Sequence, residues 1–342
     1  MKHSITVAGD VYSGLTHFAL AGLSLIARSL TDGAVTTHWN NDPTPKGVLE
    51  MEDVTPLELA EAATQISQSW HDGWATTQVQ YGEGTFSPFS PRFKAINPTK
   101  FPEDWTRHQE ARSKDLDQLQ EQSDMLGLQF IQALGEAAYW RFNGNSPRPD
   151  HGASRWEMKT RNAGEEFVSQ KLAKFVEELA SWDPERVLAG WQGDKVEDPF
   201  GDDASRTPSG FTPPGETDLA LAFAALIGIG QYPIAPRASH VTFTPGAYPA
   251  TDLHPKFAAL PVPTTPISPE RFESIVLSSS WNDIVNALGA QAEGKTEEGG
   301  LPEKAIASLR AYGVPAAATF RIYVSQAKAP ERYFERGRVQ LL

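Results

Sequence analysis

Eight histidines and no cysteine bound the chemistry open to this 342-residue chain. Without thiols there can be no disulfide and no thiolate metal site, a composition that suits a reducing cytosol. The histidines His3, His17, His38, His71, His108, His151, His240 and His254 are scattered, and no two fall within five residues of each other. Short zinc signatures need two histidines on one helix face or in one tight turn, so none is present. The phosphate-binding glycine loops and the nucleophile elbow are also missing. An enzymatic site would have to be assembled in space from remote residues such as His17, His151 and Asp202 or Asp203. The acidic cluster Asp194, Glu197, Asp198, Asp202 and Asp203 lacks the spacing of a calcium loop and reads as turn chemistry and helix capping. Neither a metal nor a cofactor is expected, and the chain is expected not to be an enzyme.

Cationic residues offer a second kind of chemistry. The net charge is −13, which argues against a free-standing nucleic-acid binder, because such affinity comes from neutralising phosphates. The charge is uneven, however. Arg141–Arg161 carries five Lys/Arg against two Asp/Glu, and Lys304–Arg338 carries seven against two. In the first island Arg155, Lys159 and Arg161 flank Trp156. In the second, Arg332, Arg336 and Arg338 are interleaved with Tyr333 and Phe334. Cations beside aromatics suit phosphate contact plus base stacking, and they equally suit a solvated loop or a protein partner.

The elements that must position these residues read as mixed α+β, with short strands, buried helices and irregular loops rich in proline and glycine. A strand over Ile5–Val7 precedes a helix from His17 to about Leu30, capped by Thr16 and apolar on most faces. Val35–Trp39 and Val48–Met51 suggest two strands, and Thr55-Pro56 with Glu58 opens a second helix. Gly73–Pro102 reads as an irregular segment packed by its aromatics. Glu103–Gln122 is a mixed-charge exposed helix that continues as Leu126–Trp140, and Phe167–Leu179 has amphipathic spacing. Asp198–Pro214 is a polar loop feeding the most apolar helix, Leu219–Gly228. Strands are expected at Ser239–Phe243 and Ala317–Val324, with Pro245–Pro269 as loop. Helices cover Pro269–Leu288 and Pro302–Leu309. Residues 1–342 make one α+β unit with no clear linker and a helical subregion at 103–182. No signal peptide is evident at the start, and no run approaches the ~18–20 apolar residues of a membrane span. The expected setting is cytoplasmic, away from membranes.

Three segments, in order, resemble a family of CRISPR-associated proteins from type I-U (I-G) loci. Its members are large-subunit-like components of Cascade. The segments are Asp10–Arg28 (DVYSGLTHFALAGLSLIAR), Met158–Glu165 (MKTRNAGE) and Asp198–Pro236 (DPFGDDASRTPSGFTPP followed by the apolar helix), about a fifth of the chain. Tyr12-Ser13-Gly14 stands where the family carries Asn-Pro-Gly, and Arg161 replaces an aromatic. The resemblance implies a non-catalytic, DNA- and RNA-binding subunit of an antiviral ribonucleoprotein. Its implied partners are CRISPR backbone subunits, guide RNA and target double-stranded DNA, bound beside the protospacer as the duplex opens. In such complexes pairing reads sequence while protein reads shape and the flanking motif. On this reading Arg206, in the third segment, joins Lys159 and Arg161 as a nucleic-acid contact. A purely protein-binding structural subunit is the remaining alternative.

Overall fold

Two helices that touch backbone to backbone form the centre of the molecule. The computed structural model describes every residue except 83, 92–99, 139–140, 145, 159–166, 202–208, 239, 296–299 and 327–330. In chain order, β1 (Lys2–Thr6) leads to α1 (Gly14–Leu30), then β2 (Val35–Trp39), β3 (Gly47–Glu52) and α2 (Pro56–His71). The hairpin β4 (Val79–Tyr81) and β5 (Gly84–Phe86) precedes α3 (Pro102–Glu121) and α4 (Met125–Leu134). A second hairpin, β6 (Phe142–Asn143) and β7 (Ser146–Pro147), is followed by α5 (Ala173–Ala180), α6 (Pro184–Gln192) and α7 (Leu219–Ile227). The last third holds β8 (Ala247–Tyr248), β9 (Phe257–Val262), α8 (Pro269–Val276), α9 (Ser279–Ala292) and α10 (Glu303–Ala311). It closes with β10 (Ala316–Val324), β11 (Arg332–Phe334) and β12 (Arg338–Leu341). The fold is mixed α+β, as the sequence indicates.

Helix α1 is buried from Gly14 to Ala27. Its start is capped by Ser13, whose hydroxyl accepts from Thr16 N, one turn earlier than the Thr16 cap read from the sequence. Thr16 instead donates its hydroxyl to Ala8 O at 2.9 Å, tying the helix to the end of the first strand. All nine residues of α7 are buried, which agrees with an apolar run that has no polar face. Asp218 caps α7 by accepting from Leu221 N, and its other oxygen takes Glu197 N. The two helices cross at Gly22 and Gly228. An added Cβ at Gly22 would lie 1.8 Å from Ala224 O, and one at Gly228 would lie 1.9 Å from Phe18 O. Only glycine lets the two main chains approach this closely.

Two antiparallel sheets flank the pair. The first has order β1-β3-β2 and the second β11-β10-β9-β8, with β12 also on β10. Ile267 bridges to Thr37, and Trp39 N donates to Pro263 O, so the segment after β9 joins the sheets. Phe18 stacks on Phe211 at 3.8 Å, and Trp156, Tyr232 and Phe334 complete an aromatic cluster beneath the second sheet. One hydrophobic core runs continuously from Ile5 to Leu342.

Several expectations change in the structure. Pro245–Pro269 is not all loop, for it contains β8 and the central strand β9. Pro261 within β9 sits opposite Ala317 in the ladder. Ser239–Phe243 lies partly outside the described residues, and its described part forms only a single bridge between Ala235 and Phe243. The helix expected over Leu126–Trp140 stops at Gly135, whose φ of +94° ends it. The helix expected over Pro269–Leu288 is broken at Ser278, which caps α9 through Trp281 N. Among the described residues no helix is long and apolar enough to cross a membrane.

Candidate nucleic-acid interface

Strand β10 decides where the second basic island goes. Along it Ala318, Phe320 and Ile322 are buried and face the aromatic cluster, while Arg321 and Tyr323 point to the opposite face and are exposed. The registers carry this alternation across the sheet. Phe257 of β9 lies opposite Arg321, Arg338 of β12 opposite Thr319, and Tyr333 of β11 opposite Tyr323. One face therefore presents Thr319, Arg321, Tyr323, Tyr333, Phe257, Arg338 and Gln340. Helix α9 covers only part of it, packing Gly289 against the Tyr248 ring. Between the end of α9 and the uncovered strands runs an open groove of about 1040 Å³.

Cations outnumber anions in the groove wall. Lys256, Arg321, Arg336 and Arg338 line it together with Glu293 and Glu335. Glu293 is held between Lys256 and Lys295, each at 2.7 Å, and these hydrogen bonds keep its carboxyl at about 2. Arg321 lies 3.9 Å from Glu335. Arg336 pairs with Asp10 at 2.8 Å and sits 5.3 Å from the Tyr12 ring centroid. Among the described residues no carboxylate pairs with Arg338, which is exposed. Outside the groove lining but on the same sheet face, Tyr323 and Tyr333 stack with centroids 4.8 Å apart. Burial, and then the neighbouring Tyr323, push the Tyr333 hydroxyl up, so it stays protonated and able to donate. Aromatic rings beside guanidinium groups on an open sheet face can stack bases and neutralise phosphates.

The residues singled out from sequence divide three ways. Arg336 and Arg338 come together in this groove. Arg332 pairs with Val324 in the ladder and so lies on the opposite face. There it lines a cavity of about 10 Å³ with Arg155, Glu157 and His254. Arg155, expected at a surface, is only 2% exposed. Its guanidinium donates to the carbonyls of Leu253 (2.9 Å), Asp150 (2.7 Å) and Ala153, because a buried cation needs all its donors satisfied. Trp156 beside it is fully buried and donates to Pro245 O. Lys159, Arg161 and Arg206 lie outside the described residues. Sequence reading passed over Arg321, Tyr323 and Lys256. The signal for the first two was present in the period-2 alternation of ATFRIYV, where every second residue from Thr319 is polar or amphipathic.

The acidic loop behaves as turn chemistry where it is described. Asp198 accepts from Phe200 N and Thr217 N, and Glu197 pairs with Arg186 and Lys195. Asp202 and Asp203 lie outside the described residues. Among the described residues no group of three His, Asp or Glu side chains is placed to hold a metal ion. His17 is buried between Trp39 and Phe320, with Nε2 bonded to Val11 O at 2.9 Å.

Comparison with known protein families, with curated proteins and with solved structures found no match to this chain.

Proposed function

We propose that this protein is a non-catalytic, nucleic-acid-binding subunit of an RNA-guided surveillance complex. Its partners would be backbone protein subunits, guide RNA and target double-stranded DNA. The observation that carries nucleic-acid binding is the open sheet face, with Tyr323 and Tyr333 stacked beside Arg321, Arg338 and Lys256. The surveillance-complex setting comes from the resemblance of Asp10–Arg28, Met158–Glu165 and Asp198–Pro236. An acidic subunit with a local basic groove suits such an assembly, because neighbouring subunits share the electrostatic load of holding a polyanion.

The test is co-expression with the products of the neighbouring genes. The protein should elute with RNA and a repeated backbone subunit. The assembled complex is then titrated with fluorescent target DNA. Arg321→Glu with Arg338→Glu should lower affinity by roughly 10- to 100-fold and flatten the salt dependence by about 0.7–0.9 per lost phosphate contact. Tyr323→Ala should weaken binding by about 1–3 kcal/mol if a base stacks there. Assembly should be unchanged in both variants, since the side chains are exposed. Intact DNA binding by the charge-reversed complex would remove the groove from the interface and favour a purely protein-binding role.

A further inference from the structure

Arg141, Arg148 and His151, from the first part of the first basic island, lie outside the lining of the groove. Strands β6 and β7 pair Phe142 with Pro147 and Asn143 with Ser146. The next rung places Arg141 opposite Arg148, joined by Arg148 N donating to Arg141 O at 2.9 Å. Beyond it the chain turns through Pro149–Gly152 and brings His151 back to the same end of the hairpin. His151 is fixed there because its carbonyl accepts from Thr242 N at 2.8 Å. Buried Arg155 lies behind, bonded to Asp150 O.

Three features of this cluster lack a counterpart within the chain. Two arginines face each other across one antiparallel rung, an arrangement that repels unless an anion sits between them. Neither forms an ion pair among the described residues, although both are partly buried. Finally, Arg141 Nε and His151 Nδ1 are both buried without a hydrogen-bond partner. Both can be donors, and buried donors need acceptors.

We propose that the base of the β6–β7 hairpin is a phosphate-binding site, in which Arg141, Arg148 and His151 together take one phosphate group. That group belongs either to a nucleic-acid backbone or to free phosphate. The site shares no residue with the sheet groove and does not depend on the function proposed for it. The electrostatics agree with the geometry. Burial lowers the His151 pKa, Asp150 opposes that, and Arg141, Arg155 and Arg148 lower it further. A bound phosphate cancels the arginine field and accepts from the imidazolium, so binding must raise the pKa of His151, and protonating His151 must tighten binding.

The probe is inorganic phosphate, added to the full-length protein with chloride holding ionic strength constant, while NMR follows the His151 imidazole. His151→Gln supplies the assignment. Phosphate should raise the His151 midpoint saturably, by roughly half a unit to one unit. Arg141→Gln with Arg148→Gln should abolish that rise, whereas Arg338→Glu in the groove should leave it intact. An oligothymidylate that shifts His151 as phosphate does would identify a nucleic-acid backbone as the source. A response to inorganic phosphate alone would identify free phosphate. A midpoint identical in phosphate and chloride, or a rise that survives the double arginine substitution, would overturn the site whatever the groove does.

Discussion

Gly22→Ala is expected to destabilise the protein by on the order of 4 kcal/mol, and Gly228→Ala by a similar amount. Local propensity points the other way. Alanine in a helix interior is favoured over glycine by ~1 kcal/mol. Packing wins because the added methyl meets main chain instead of a side chain that could turn aside. At Gly22 it would lie 1.8 Å from Ala224 O and 2.8 Å from Gly228 N, and at Gly228 it would lie 1.9 Å from Phe18 O and 2.8 Å from the Phe18 carbonyl carbon. Relief requires the helices to separate, which loosens the stack of Phe18 on Phe211 and the burial of the whole apolar run. Gly300→Ala is the control, since nothing lies within 4 Å of the added carbon. It should fall within about 0.5 kcal/mol of the parent. Urea unfolding followed by tryptophan fluorescence measures all three. A Gly22→Ala protein as stable as the parent would show that the helices do not touch as described.

Acidification from pH 6.5 to pH 4 should remove about 3 kcal/mol of stability through His17 alone. Burial is the main cause of its depressed pKa, about 4, and the bond to Val11 O and the charge of Asp10 oppose it only in part. The unfolded chain binds a proton on this histidine near pH 6.5, and the folded chain resists until about pH 4. Between those limits the unfolded state carries more protons, so stability rises with pH and falls on acidification. His108 acts in the same direction. It is buried beside Arg112 and held to about 3, so it adds to the slope over a wider window. Chemical denaturation at a series of pH values gives the slope. His17→Gln should remove the His17 share of the pH dependence while lowering stability at pH 7 through lost packing against Trp39. An unchanged slope in that variant would place the acid sensitivity elsewhere.

Legibility varied with how local the determinant was. The helix start at Thr55, Pro56 and Glu58 was plain, because three side chains within four residues carry the whole signal, and in the structure Thr55 and Glu58 close a capping box there. The buried character of Leu219–Ile227 was equally plain, since nine apolar residues leave no polar face. Strand β9 was hidden by Pro261 within it and by Pro255 and Pro263 on either side. A proline in a central strand goes against expectation, and only the ladder to β10 shows that Pro261 occupies one. The tail Glu331–Leu342 revealed its cations but not its strands. Its two short segments become β11 and β12 only because β10 offers an edge to each. Arg155 looked like a surface cation because nothing within a few residues announces the carbonyls of Asp150, Ala153 and Leu253 that surround it.

Composition and periodicity alone therefore determined the α+β class, the buried helices, most helix starts and the location of charge in two islands. These follow from side-chain chemistry acting over one or two turns. The tertiary structure decided which cations share a surface. Arg332 and Arg338 are six positions apart, yet the sheet sends them to opposite faces, because the registers set by Val324 and Thr319 assign each side of the pleat. Arg321 and Lys256 join Arg338 from distant parts of the chain through the β9–β10 ladder. Arg141 and Arg148 meet across a hairpin that turns at Gly144, whose positive φ is the local signal for it, but the facing of the two cations follows only from the register. The close approach of Gly22 and Gly228, separated by some two hundred residues, is of the same kind: it depends on where two helices cross.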